Sequence, residues 1–332
     1  MGSEYSIYKI IHHIDALKSR HPVSCHWFIT HKCNHNCPRC ANDKKLRQDY
    51  FNRNDEWDFD RACSVAKEMR DYGMKAIGIS GGEPLVYSRF DDLIAVMLEL
   101  GYDLGIISNG RNLKEVNLDQ LKQFKWLRFS IAGMTDKTYI PLHGHNNKPD
   151  IWSIISDCLP KLKSDKNIVG TSFLIQPENY FEIPDFAIWA KDVGFDTCRF
   201  TACWTPDGDP YPEDMKSEIR ELIKTAQRLS DDSFEVYSFA ERMDIKPEKK
   251  YTHCYYADVN AFLSANGKLF HCCMIQNSAL GYIGDLYKNT FREIWEKRNF
   301  VDVSKCPVCW FDKKNEFMEY LMDDNPRHVN FI

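Results

Sequence analysis

Short runs rich in β-branched and aromatic residues alternate with amphipathic segments of helical length along the first two-thirds of the chain, and this alternation restricts the fold more than any other feature. The strand candidates are 23–30, 75–80, 102–108, 125–131, 168–176 and 196–203, and helical candidates lie near 57–72, 88–100, 111–123, 150–164, 181–193 and 212–230. In the first helical segment Phe59, Ala62, Ala66 and Met69 recur at three- and four-residue spacing, and Gly73 offers a stop. Such alternation implies parallel strands joined by right-handed crossovers. Six units make a partial (β/α)6 parallel barrel of the α/β class, whose active site is expected in the loops after the C-terminal strand ends. The charged, proline-bearing stretch 244–250 (DIKPEKK) ends the pattern. The expected organisation is an N-terminal helical extension over 1–22, the barrel over 23–240, and a small cysteine-bearing C-terminal domain with a final helix over 250–332.

A chain of 332 residues that is 43% hydrophobic and 13% aromatic can bury a substantial core. Its formal charge of −5 argues against nucleic-acid binding through a strongly basic surface. No apolar run approaches the roughly 20 residues a membrane span needs, and the N-terminus lacks a signal-peptide pattern, so a cytoplasmic protein with no membrane partner is expected. In a reducing compartment thirteen cysteines point to metal rather than to disulfides. Cys25, Cys63, Cys158, Cys198 and Cys203 are scattered as small buried hydrophobes would be. Cys33, Cys37 and Cys40 are grouped, and Cys254, Cys272, Cys273, Cys306 and Cys309 form a second set.

The first group, in THKCNHNCPRC, follows the first strand. Three thiolates this close can cap three irons of a cubane, and with no fourth cysteine in the loop one iron stays open. Ligand type alone also permits a zinc site completed by His31 or His35. The second strand runs into Gly81-Gly82-Glu83-Pro84, where glycines let the backbone approach a ligand and Glu83 offers an acceptor for an ammonium group. The third strand ends in Ser108-Asn109-Gly110, and the fourth contains Ser130.

Together these segments resemble the radical S-adenosylmethionine (SAM) superfamily. The resemblance implies a 4Fe-4S cluster on Cys33, Cys37 and Cys40 whose open iron is chelated by SAM. It implies that Gly81, Gly82, Glu83 and Pro84 receive the amino group of SAM, and that Ser108, Asn109 and Ser130 direct polar groups at it. Two positions depart from the usual pattern. Ala132 stands where an acidic residue is common, and Arg39 replaces an aromatic residue that packs on adenine, a role its guanidinium plane can fill by stacking.

The second cysteine set reads Cys254-x12-Gly267-x4-Cys272, then Gly284-Asp285 and Ile294-Trp295, then Cys306-Pro-Val-Cys309. It resembles the auxiliary-cluster region of the SPASM and twitch subfamilies, with Asp285 where asparagine is usual. The resemblance implies one auxiliary 4Fe-4S cluster on Cys254, Cys272, Cys306 and Cys309; the bare CPVC spacing would also suit a zinc knuckle.

A chain of this kind is expected to cleave SAM reductively to a 5′-deoxyadenosyl radical and to abstract hydrogen from a substrate carbon, with flavodoxin or ferredoxin as electron donor. Oxidation or dehydrogenation in natural-product biosynthesis, with the auxiliary cluster taking an electron, is the leading reading. Epimerisation, with Cys203 or Cys273 as hydrogen donor, and peptide crosslinking are the alternatives. A non-catalytic iron-sulfur or zinc protein is the alternative of another class. The substrate is expected to be a small molecule or a peptide, and the 22 residues before the first strand are too few for a peptide-recognition module. The segment 204–213 (WTPDGDPYPE), the tail WFDKKNEFMEYLM, and His143 and His145 after the fourth strand are further candidates for substrate contact.

Overall fold

The computed structural model describes residues 8–40, 50–144, 150–203, 210–244 and 248–324. Its centre is one sheet of ten strands in the order β10-β9-β8-β1-β2-β3-β4-β5-β6-β7. β1 (Ser24–Thr30), β2 (Ala76–Gly81), β3 (Asp103–Ser108), β4 (Trp126–Ser130), β5 (Ile168–Ile175) and β6 (Thr197–Ala202) occupy the six expected runs and pair in parallel, each with the next. A seventh parallel strand, β7 (Glu235–Phe239), was not expected; it lies beside β6. Only five residues long and without a helix of its own before the charged stretch, it gives a weak periodic signal.

Helices cover one face of these strands, and alternate side chains form the core against them: Trp27 and Ile29, Ile77 and Ile79, Leu127 and Phe129, Phe173, Phe200. The helix Phe59–Asp71 shows how the sequence does this: Asp58 caps it through the Arg61 N–H, and Ala62, Val65, Ala66 and Met69 supply the buried stripe. The helix expected over 111–123 is instead broken. A 3-10 turn, Leu113–Glu115, is followed by a single helical turn, Leu118–Leu121, because the Asn117 side chain accepts from the Asp119 and Gln120 amides and restarts the chain. Asp136–His143, after β4, is an additional helix. Cys25, Cys158 and Cys198 lie in the core.

The C-terminal region does not build a sheet of its own. β8 (Asn260–Leu263) pairs in parallel with β1, and β9 (Lys268–Phe270) and β10 (Tyr282–Asp285) continue from it in antiparallel. Gly284 leaves room for Ile294, and Trp295 is buried with its indole N–H on the Arg20 carbonyl (3.1 Å), so the Gly-Asp and Ile-Trp segments pack the helix Phe291–Lys297 against β10 and the N-terminal segment. Among the described residues no helix is long and apolar enough to cross a membrane.

Candidate functional site

The loop after β1 carries Cys33, Cys37 and Cys40, and the loop after β2 lies directly against it. The Gly82 N–H donates to the Thr30 carbonyl (2.8 Å) and the Glu83 N–H to the Lys32 carbonyl (2.9 Å). A Cβ on Gly81 would overlap the Thr30 carbonyl oxygen, and one on Gly82 would overlap those of His31 and Lys32. Gly81 also has φ +145°, which side chains rarely adopt. The close approach these glycines permit is thus to the chain's own cysteine loop.

Glu83 departs from its expected role as an open acceptor. It is 1% exposed, and its carboxylate accepts from the Leu85 N–H (3.0 Å), the Ser108 hydroxyl (2.7 Å) and the Asn109 N–H (2.6 Å). Burial pushes its carboxyl up to about 7 against the pull of those donors. Pro84 opens the 3-10 turn that follows. Ser108, expected to face SAM, donates to Glu83 and accepts from the Gly110 N–H (2.9 Å). The Asn109 amide donates to Asn34 Oδ1 (2.7 Å), and Asn34 in turn to Asn112 Oδ1 (2.7 Å), tying the third strand end to the cysteine loop. Ser130 is half-buried with its hydroxyl 3.2 Å from that of Ser172, its register partner on β5.

Cys33, Cys37 and Cys40 line one cavity of about 350 Å³ together with His35, Arg53 and Gly82. Burial pushes the Cys33 thiol up to about 11 and that of Cys37 to about 12, and the charges of the neighbouring cysteines push in the same direction. Crowded thiolates in a poorly solvated loop need cations beside them, and iron supplies these, so the donor set suits a cluster. Zinc completed by His31 does not fit: its Nδ1 is 3.0 Å from the Asn52 carbonyl and its Nε2 3.0 Å from the Ser264 hydroxyl. The donor atoms of His35, Cys37 and His143 lie within 4.8 Å of one another. His143 Nε2 accepts from the Ala132 N–H (3.1 Å), which places the ring proton on Nδ1, 3.7 Å from Cys37 Sγ. Arg39 has its guanidinium edge bound within the chain. It makes a two-bond ion pair with Glu178 (2.8 and 2.9 Å) and also donates to Gln176 (2.8 Å), both after β5.

Cys254, Cys272, Cys306 and Cys309 line a second, enclosed apolar cavity with Tyr251 and Asn315. N–H groups point at its sulfurs: Met274 to Cys272 (3.4 Å), Phe311 to Cys309 (3.3 Å) and the Asn315 amide to Cys254 (3.7 Å). Burial pushes the Cys254 thiol to about 12 and that of Cys309 to about 11, again a setting in which thiolates need a metal. Cys273 packs against Phe28, Phe262 and Phe270 while its thiol stays within hydrogen-bonding reach of Cys272. Cys203, at the end of β6, is 4% exposed; its thiol is pushed up by burial to about 11, and its N–H donates to the Tyr211 hydroxyl (2.7 Å). The sequence offered no sign of the Arg39–Glu178 pair or of Asn315, each a lone polar residue joined to its partner only by the fold. His145 and most of 204–213 lie outside the described residues.

The radical SAM superfamily profile matches residues 27–190, and an iron-sulfur cluster-binding SPASM domain profile matches 254–319. The chain is 25% identical over 179 residues to a tungsten-containing aldehyde ferredoxin oxidoreductase cofactor-modifying protein of Pyrococcus furiosus, covering 51% of this chain and 48% of that protein. It is 30% identical over 137 residues to a 7,8-dihydro-6-hydroxymethylpterin dimethyltransferase of Methanocaldococcus jannaschii, covering 39% and 26%. The chain therefore spans half or less of the length of these curated relatives. Among solved structures, Streptococcus suis SuiB bound to its precursor peptide SuiA superposes with a TM-score of 0.64 at 15% identity, over 87% of this chain and 68% of that one. The enzyme anSMEcpe with bound AdoMet gives a TM-score of 0.59 at 13% identity, over 84% and 81%. With both profiles matched in their order along the partial barrel and its C-terminal extension, the chain belongs to the radical SAM superfamily and carries a SPASM domain, which together imply S-adenosylmethionine with a SAM-binding 4Fe-4S cluster and an auxiliary iron-sulfur cluster.

Proposed function

We propose that this enzyme abstracts hydrogen from a carbon of a peptide substrate and oxidises it. In this reading Cys33, Cys37 and Cys40 hold the SAM-binding cluster, and Cys254, Cys272, Cys306 and Cys309 hold the auxiliary one. The observation that carries it is the arrangement of the two cysteine sets, one in the loop after β1 and the other gathered from before and after the strands β8–β10 that continue the sheet beside β1. The peptide substrate is supported by the likeness of the fold to SuiB, seen with precursor peptide SuiA, and to anSMEcpe, seen with the Kp18Cys peptide.

When bound, SAM and the first cluster supply a species able to take a hydrogen atom from carbon, and the auxiliary cluster supplies an electron acceptor. The protein's part is to fix the frame. Glu83 and Asn34 hold the three strand-end loops together, and the Arg39–Glu178 pair ties the cysteine loop to the end of β5. The N–H groups of Met274, Phe311 and Asn315 brace the second cysteine set and stabilise negative charge on its sulfurs.

Iron, sulfide and zinc per chain, measured after anaerobic purification, test the ligand assignment. About eight irons are expected, falling to about four in the Cys33, Cys37 and Cys40 to alanine variant. Zinc without labile sulfide would overturn it. Incubation with dithionite and SAM should yield 5′-deoxyadenosine, and the peptide product should lose two hydrogens without taking solvent deuterium at carbon. Deuterium at a single carbon without mass loss would replace oxidation by epimerisation.

A further inference from the structure

Inside the barrel, on the face opposite the helix-covered core, three arginines converge. Arg128 is on β4, Arg199 on β6, and Arg242 in the 3-10 turn Ala240–Asp244 after β7. The guanidinium of Arg199 lies 4.1 Å from the Phe239 ring centroid and that of Arg242 4.9 Å from the same ring, so the two charges share one aromatic face or flank it. Arg242 also stacks 4.3 Å from the Trp310 ring, which comes from the C-terminal region, and Arg128 lies 5.4 Å from Trp126. Lys314, half-buried on the final helix, adds a fourth cation whose pKa is lowered by burial and by the charges of Lys9 and Arg199.

This group is out of balance. Burial lowers Arg199 to about 9, with repulsion from Arg128 and Arg242 adding to it and the weaker pull of Tyr237 and Glu241 opposing it, and burial lowers Arg242 to about 10 against the attraction of Glu241, which is not close enough to form an ion pair. Among the described residues no carboxylate forms an ion pair with any of the three; the Arg199 Nε donates only to the Thr201 hydroxyl (3.0 Å). Elsewhere the same kind of side chain is paired, as in Lys163–Asp196 and Arg220–Asp244. The chain has more acidic than basic residues, 48 against 43, so acids were available to balance the group. At the same place the indole N–H of Trp310 is buried with no acceptor. Like charges and an orphan donor crowded together in a half-buried place are costly unless an anion completes them.

The position is informative too. Arg199 is the register partner of Ser172, and Ser172 that of Ser130, while Arg242 feels the charge of Cys273 beside the second cysteine set. The arginines therefore reach from the β4–β5–β6 strands on the open side of the sheet to the second cysteine-bearing region. We propose that Arg128, Arg199, Arg242 and the Trp310 N–H form a binding site for an oxyanion, which anchors the substrate through a carboxylate or a phosphate group. Its role as a substrate anchor rests on the function proposed above; the anion site itself does not.

The test uses the full chain with its clusters in place and 5-fluorotryptophan in place of tryptophan, the Trp310 fluorine resonance being assigned with Trp310→Phe. Sodium phosphate and N-acetylglutamate are titrated at constant ionic strength, with N-acetylglutamine as the neutral control. A saturable shift of the Trp310 resonance is expected with an anion and not with the amide, weakened at least tenfold in Arg199→Gln and in Arg242→Gln. Tighter binding of phosphate would assign a phosphate ester, and tighter binding of N-acetylglutamate an acidic residue or acid. Arg199→Gln should also melt at a higher temperature than the parent in the absence of anion, because it relieves repulsion. Arg242→Lys, which keeps the charge and loses the planar fork, should bind with intermediate affinity and guards against a folding defect in the glutamine variants. Equal response to N-acetylglutamine, or anion shifts indifferent to both Arg199→Gln and Arg242→Gln, would overturn the site. Iron and sulfide are measured on the same samples. Anion binding in a chain that holds no iron would leave this site standing and remove the proposed function instead.

Discussion

Removing the Glu83 carboxylate should unfasten the three strand-end loops, and the cost can be worked from its contacts. In Glu83→Ala three donors lose their acceptor. The Ser108 hydroxyl can rotate to another partner, but the Leu85 and Asn109 amides are fixed by the backbone and left buried. At roughly 1–3 kcal/mol for each unsatisfied group, the loss is about 2–6 kcal/mol before any cavity term. That is a large share of the 5–15 kcal/mol typical of a folded domain. Glu83→Gln keeps one oxygen and turns an NH2 toward the remaining donor, so it should cost about 1–3 kcal/mol. The pH dependence separates this account from simple loss of packing. The folded carboxyl sits at about 7, above its ordinary 4.5, so its contribution is complete below pH 4.5 and declines as pH rises through 7. Over that window the decline is roughly 3 kcal/mol at about 1.4 kcal/mol per unit. Glutamine does not titrate. Urea denaturation of the cluster-free chain at pH 5, 6, 7 and 8 should therefore show the gap between parent and Glu83→Gln narrowing as pH rises. Parallel profiles, or a Glu83→Ala variant within about 0.5 kcal/mol of the parent, would refute the brace.

Gly82→Ala places a methyl on the carbonyl oxygens of His31 and Lys32, both backbone atoms that cannot step aside; a loss of about 1–3 kcal/mol in urea and a fall in iron content are expected, and normal iron loading would count against the packing account. His143→Phe removes the Nδ1–H beside Cys37 Sγ, so an EPR-monitored titration should find the first cluster harder to reduce, whereas an unchanged potential would make the contact structural only. Arg39→Ala breaks a pair whose side chains are 29% and 49% exposed; stability should change by less than about 1 kcal/mol, and Glu178, now held below the usual carboxylate range chiefly by the Arg39 hydrogen bonds, should titrate at higher pH by NMR.

The six barrel strands and both cysteine sets were legible because each rests on a local signal: alternation of residue types for the strands, spacing of thiols for the metal sites. What stayed hidden depends on contacts between distant segments. The glycines of the β2 loop could be read as important, but that they press on Thr30 and Lys32 needs the register of β1 against β2. Glu83 was legible as an acceptor after β2, but its burial and its partners were not, since Ser108 and Asn109 meet it only when β3 lies beside β2. Seen locally, Arg128 and Arg199 are isolated basic residues on two β strands; only the curl of the sheet and the turn after β7 bring them toward Arg242.

The charged stretch at 244–250 reads as a boundary, yet the segment after it is built into the barrel's own sheet. β8 supplies the parallel neighbour on the free side of β1. Phe28 from β1 packs with Phe262 and Phe270, and the Trp57 indole N–H donates to the Ser264 carbonyl (2.9 Å). The Ser264 hydroxyl joins the two halves again, lying 3.0 Å from His31 Nε2 and 2.9 Å from Asn277 Oδ1. His31 is two residues before Cys33, and Asn277 follows the Cys272–Cys273 turn, so this buried polar chain runs from one cysteine set to the other. A pair of linked but independent domains would leave the spacing of the two sets to the linker. A continuous sheet with buried hydrogen bonds across the junction fixes that spacing instead, which is what the electron transfer proposed above, from a substrate in the barrel to an acceptor beyond β8, requires.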